Sequence, residues 1–196
     1  MTLEQMYRED CDSLLLLADV FEQTNERYLS ENNEELNRCE AKDMTTYYPP
    51  TCLHNLKALL ASSLLVQSQG LLEYYLPTIV KLRSKGATVS VSPFESGNVL
   101  GWVKCVIKTE IKTDFDFGCH LYSRLKDFSN IRNDLIHHGG YLSKEERREI
   151  LNRLDGVRVG DTDLYEIDFS YCRSVINDIE AFFLEIDAAL ASSTEA

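Results

Sequence analysis

Residues 116–140, DFGCHLYSRLKDFSNIRNDLIHHGG, decide how this chain is read. Leu121, Leu125, Phe128 and Leu135 recur at helical steps, so they mark one apolar face of an α-helix. The run stops at Gly139-Gly140, a pair well suited to ending it. Arg132 falls on the same stripe, and a charged group on an apolar face needs a partner or a task. Asn133 and His137 are four apart and share a face. Arg132 and His137 are five apart, which sets them roughly 140° from one another on an ideal helix. Three arrangements could still bring them together: the arginine reaches around, the helix loosens at its end, or a second subunit completes the site. The residue types suit phosphodiester chemistry, because an imidazole moves a proton at neutral pH and a guanidinium fork holds phosphate oxygens. A helix C-terminus would add up to about 1–2 kcal/mol in favour of a protonated His137 if the site is partly buried. The structural alternative is an ion pair of Arg132 with Asp127 or Glu73, and a helix-end histidine without a task.

Working outward, the first forty residues contain no Pro or Gly and are rich in Leu and Glu, which predicts helix over 2–38. Tyr47-Tyr48-Pro49-Pro50 breaks it. Leu53, Leu56, Leu60, Leu64, Gln67, Leu71 and Tyr74 then form a second helical stripe. Pro77 predicts a kink or restart with a change of direction before Ile79. Thr88-Val89-Ser90-Val91 reads as a short strand or extended connector near 87–92. Ser92-Pro93-Phe94-Glu95 reads as a helix start, opening a helix over about 94–112 that carries Lys104, Lys108 and Lys112 as one basic ridge. Ser143-Lys144-Glu145-Glu146 predicts a capping box and a short helix to about Leu154. Turn residues around Val157-Arg158-Val159 and Leu164-Tyr165-Glu166-Ile167 predict a hairpin within 157–167. From Asp168 a final helix places Cys172, Val175, Ile179, Phe182, Ile186 and Leu190 at helical spacing. With no strand series to build a sheet, the fold class is all-α: one domain spanning 1–196, a bundle of four to six helices with a minor β-hairpin insertion.

The formal charge is −12, which opposes broad electrostatic capture of nucleic acid. The charge is unevenly placed, however. Residues 1–50 and 159–196 are each at −8, while 51–158 is at +4 and contains the motif. Solvated outer helix faces explain the acidic ends. The longest leucine run, Leu14 to Leu17, is too short to cross a bilayer, and no signal-like segment is present, so a cytoplasmic protein away from membranes is expected. The six cysteines include no CxxC pair, and buried, reduced thiols are expected for most of them. His54 and His120 lack ligand-type neighbours at metal spacing and read as structural or surface residues, so no metal site is expected. Trp102 and the paired tyrosines read as core or interface material.

Arg132-Asn133-x-x-x-His137 on the penultimate large helix of an all-α chain resembles the HEPN superfamily, whose ribonucleases carry Arg-x4–6-His, commonly with a polar residue after the arginine. The resemblance rests on six residues and on helix order across most of the chain. It implies a HEPN-like helical bundle and a metal-independent endoribonuclease with no cofactor, assembled as a homodimer in which two motif helices build one cleft. His137 would be the acid or base, Arg132 would hold the scissile phosphate, and Asn133 would orient the groups. The products would be a 2′,3′-cyclic phosphate and a 5′-OH. The biological setting it implies is a toxin or an antiviral defence effector, with an antitoxin or regulatory protein as a further partner. His138 also satisfies the spacing as Arg-x5-His, although the face shared with Asn133 favours His137. Glu73 and Tyr141 are supporting candidates. Some relatives carry a tyrosine two residues after the histidine, where an antitoxin modifies it; here Gly139 stands there and Tyr141 follows. Lys104, Lys108 and Lys112 are candidate RNA-backbone contacts, though a solvated ridge explains them equally. The alternative function is a non-catalytic HEPN-like module that binds RNA, nucleotide or a protein partner.

Overall fold

The computed structural model describes residues 1–40, 51–84 and 98–192. Within them run α1 (Leu3–Glu40), α2 (Thr51–Arg83), α3 (Val99–Val106), α4 (His120–His137), α5 (Arg148–Leu151), β1 (Val157–Val159), β2 (Tyr165–Ile167) and α6 (Phe169–Ser192). The described residues are all-α apart from that two-stranded hairpin, as the sequence pattern predicts. The break at Tyr47–Pro50, the strand at Thr88–Val91 and the helix start at Ser92–Glu95 lie outside the described residues.

α1 begins at a capping box that sequence reading did not single out: the Thr2 hydroxyl accepts from the Gln5 N–H at 3.2 Å, and the Gln5 side chain accepts from the Thr2 N–H at 2.7 Å. It buries Tyr7, Cys11, Leu14 and Ala18, spaced by three and four, against α2 and α6. α2 packs on α1, α3, α4, α6 and β2, and so it is apolar over most of its circumference. Its deepest residues are Ala61, Leu64, Leu65, Leu72, Tyr75, Leu76, Ile79 and Val80. The expected stripe is therefore corrected by about one residue's rotation: Gln67 and Tyr74 point outward, while Ser68 and Tyr75 are buried.

Pro77 lies inside α2, and no restart occurs there. It removes one N–H donor from the helix ladder. The fully buried Leu76, Ile79 and Val80 beside it hold the helix against the core on both sides of that loss. α6 closes the bundle with every predicted core position buried. Surface pairs tie it to its neighbours: Arg173 to Asp19 and Glu22, Arg8 to Glu180, and Arg83 to Asp187. Each such exposed pair contributes at most about 1 kcal/mol, so the apolar faces carry the assembly.

The helix expected over 94–112 is shorter. Asn98 is extended (φ −149, ψ 104), and its side chain accepts from the Leu100 and Gly101 N–H groups, so α3 begins at Val99. After Val106 the coil widens into a π-helical turn, Ile107–Ile111, and Lys112 ends it in the left-handed region at φ 61. The expected capping box at Ser143 does not form. Lys144 holds the cap position without a side-chain bond, and Glu145 instead grips Arg148. A 3-10 turn, Glu145–Arg147, leads into the four-residue α5, so the helix expected to reach Leu154 stops at Leu151. The hairpin forms as predicted, antiparallel, with Val157 opposite Ile167 and Val159 opposite Tyr165.

Cysteine burial is mixed. Cys11 and Cys172 are buried, Cys119 is partly exposed and Cys105 is exposed. No helix among the described residues is long and apolar enough to cross a membrane.

Candidate active site

The motif sits on α4, and both ends of that helix are fixed locally. At its start, the Cys119 sulfur accepts from the Tyr122 N–H at 3.5 Å, and the Asp116 carboxylate accepts from the Gly118 N–H at 2.7 Å. At its end, Gly139 and Gly140 take φ values of 62 and 85, open to glycine at low cost. The His138 and Gly140 N–H groups both donate to the Asp134 carbonyl, at 3.0 and 3.1 Å. The chain stays helical to His137, so the end of the helix does not loosen to bring Arg132 and His137 together.

The buried residues of α4 are Tyr122, Leu125, Phe128, Ile131 and Asp134. Steps of three fall short of a full turn by about 60°, so this stripe winds around the helix. Its early members face the bundle and its late members face the hairpin. The expected stripe of Leu121, Leu125, Phe128 and Leu135 also packs on the core, and Arg132, between Phe128 and Leu135, is largely covered. Its side chain is 21% exposed.

The Arg132 guanidinium reaches towards α2. Nη1 donates to the Asn133 Oδ1 at 3.1 Å, Nη2 lies 3.9 Å from Glu73 Oε1, and Nε is buried with no hydrogen-bond partner. Of the expected structural partners, Glu73 is therefore the one engaged, and at a distance that gives little attraction. Glu73 also accepts from Gln69 Nε2 at 2.9 Å, and Gln69 Oε1 accepts from the Ser129 hydroxyl at 3.5 Å. A guanidinium has five N–H donors, and among the described residues one of those on Arg132 makes a hydrogen bond.

His137 and His138 are both exposed, and neither side chain makes a hydrogen bond or ion pair among the described residues. The partly buried setting considered for His137 is thus not the one it occupies. His137 is the last helical residue, whereas His138 has left the helix (φ −120, ψ 13). Asn133, also exposed, shares the His137 face, but its amide oxygen is turned to Arg132. Tyr141 is 52% exposed and lies in the turn just beyond, paired across a single bridge with Leu164.

The basic ridge belongs to another part of the surface. Lys104 Nζ sits 5.6 Å from the Tyr122 ring centroid and Lys108 Nζ 5.9 Å from that of Phe117. Tyr122 precedes Arg132 by ten residues, roughly 15 Å along the helix. Lys112 lies beyond the π turn. One chain does not bring these lysines to the motif. Two depressions in the surface lie away from it: one of about 670 Å³ is lined by Asn152–Val159 and one of about 400 Å³ by Lys57, Asp155–Arg158, Glu166 and Asp168. Among the described residues no group of His, Cys, Asp and Glu could hold a metal ion.

Sequence reading passed over Asp134. It is 2% exposed, and its Oδ2 accepts from the Tyr165 hydroxyl at 2.7 Å and from Arg147 Nη1 at 3.4 Å. Burial, reinforced by that hydrogen bond, holds the Tyr165 phenol above its ordinary range, so it stays a donor. Counting by threes from Tyr122 would have flagged position 134. Asp127, one face over, is half-buried, and its carboxyl is raised from the usual range by burial, with Arg147 and Lys126 opposing.

Compared with protein-family models, characterised proteins and solved structures, the chain matches none.

Proposed function

We propose that this chain is a HEPN-type, metal-independent endoribonuclease that works as a homodimer in the cytoplasm, as a growth-inhibiting toxin or a defence effector against invading RNA. One observation carries the reading: an arginine with donors unspent among the described residues and an exposed histidine stand on one continuous helix, about 140° apart by helical geometry. Within one chain they face different ways. A second α4 across a two-fold axis would set Arg132 of one copy against His137 of the other and form a shared cleft.

In that cleft one imidazole takes the proton of a ribose 2′-OH. The 2′ oxygen attacks the adjacent phosphorus, the bond to the 5′ oxygen breaks, and that oxygen leaves with the proton the same imidazole has taken up. The Arg132 fork holds the two non-bridging oxygens and offsets the charge they gain in the transition state. Asn133 keeps the guanidinium aimed, as its bond to Nη1 suggests. An antitoxin or other regulatory protein is a natural partner for such an enzyme.

The formal charge of −12 favours a second reading, a HEPN-like module that binds RNA, nucleotide or a protein without cleavage. Purified protein incubated with RNA in EDTA separates the two. Cleavage that is lost in both Arg132→Ala and His137→Ala supports the enzyme, and RNA binding without cleavage in the wild type supports the module. If His138→Ala is the inactivating change, the histidine is misassigned by one position.

A further inference from the structure

Among the described residues Asp134 is the only acidic side chain to be fully buried. A carboxylate removed from water is tolerated only where its partners satisfy it, so its geometry is specified closely. Side chain and main chain of this one residue fasten three elements. The carbonyl receives the N–H groups of His138 and Gly140 and so secures the last turn of α4. The carboxylate receives Arg147 from the 3-10 turn and Tyr165 from β2. Backbone bonds close the same knot, from the Tyr165 N–H to the Gly140 carbonyl at 3.0 Å and from the Leu142 N–H to the Asp163 carbonyl at 2.8 Å.

His137 lies inside the turn that this knot secures, and its exposed imidazole has no hydrogen bond of its own among the described residues. Its location is therefore set by the backbone of that turn. Ends of helices fray unless held. We propose that Asp134, acting through Tyr165 and Arg147, is the positioning residue that places the His137 imidazole for proton transfer. The inference rests on the reading of His137 as the proton-transfer group. It adds to the site a carboxylate, an arginine of the 3-10 turn and a tyrosine of the hairpin.

Tyr165→Phe tests it, because it removes one hydroxyl and keeps the ring packing. A misplacement of about 1 Å at a reacting group costs up to about a hundred-fold, so kcat on RNA is expected to fall by at least about ten-fold with KM within about two-fold. Hydrogen exchange at the His138 and Gly140 amides is expected to quicken several-fold, with that at Ile179 and Phe182 in α6 unchanged. Asp134→Asn keeps an oxygen for Tyr165 and is expected to retain more kcat than Asp134→Ala. A Tyr165→Phe enzyme with wild-type kcat, or with only KM altered, overturns the proposal. A wild type that cleaves no RNA also removes it, by removing the task of His137. Exchange tells the two failures apart, since quickened His138 and Gly140 amides in Tyr165→Phe then leave Asp134 holding the turn and only the chemistry mistaken.

Discussion

Arg132 and His137 have few ties to the rest of the molecule, and that sets what their substitution does. Losing a transition-state donor of the Arg132 kind costs about 10²–10³ in kcat, and losing a general acid or base about 10²–10⁴. Stability should barely change. The contact of Arg132 with Glu73 spans 3.9 Å and His137 has no partner among the described residues, so melting temperatures of both alanine variants are expected within a few degrees of wild type. Large losses of melting temperature would mean that these side chains hold the fold together instead. Asp127 behaves in the opposite way. Its folded carboxyl is raised by burial, so the folded state keeps this proton to higher pH than the unfolded chain does. The contribution to stability is present below the ordinary aspartate range and is lost as pH rises through the raised value. Asp127→Asn is therefore expected to melt above wild type at pH 7 and to lose that advantage near pH 4; an equal offset at both would contradict the assignment. The Arg-His pair was legible in the chain because its spacing is local. The task of Asp134 was not, since its partners lie 13 and 31 residues further on, and no helical count reaches them.

Elements were legible where one face of one segment decides the outcome. The stripe of α6, the hairpin and the stop at Gly139-Gly140 all follow from patterns of fewer than thirty residues. The misreadings share another cause, the override of a local signal by neighbours. Pro77 forecasts a kink or a restart, and the restart does not occur, because the fully buried residues beside it keep α2 continuous. Ser143 with Glu146 forecasts a cap, yet Lys144 takes the cap position, and Arg148 holds the segment to the hairpin turn through the Gly160 carbonyl at 3.0 Å. The widening of the coil after Val106 has no sequence signal that we can identify. The approach of β1 to α6 permits a direct test at this scale. Gly156 has φ 76, and a Cβ there would meet Ser170 Oγ at 2.8 Å and the Tyr171 backbone nitrogen at 3.0 Å. Gly156→Ala is expected to cost about 1–3 kcal/mol in urea unfolding from backbone strain and this clash together, and a neutral result would place the hairpin differently on α6.

Across the whole molecule the charge pattern limits how RNA is held. The ends are acidic, and the lysine ridge stands roughly 15 Å along α4 from the motif. If the two Arg132 forks of a dimer are the main phosphate contacts, the logarithm of the binding constant is expected to fall against the logarithm of salt with a slope of about −1.5 for single-stranded RNA. A slope steeper than about −3 would bring Lys104, Lys108 and Lys112 into the contact. In the proposed dimer the shared cleft pairs the arginine of one copy with the histidine of the other. Co-expressed, doubly tagged heterodimers of Arg132→Ala with His137→Ala test it most directly, assayed for RNA cleavage in EDTA and for 2′,3′-cyclic phosphate ends. A shared cleft requires that the mixed dimer regain cleavage that neither parent homodimer shows. A mixed dimer as inactive as both parents, beside an active wild type, would contradict it.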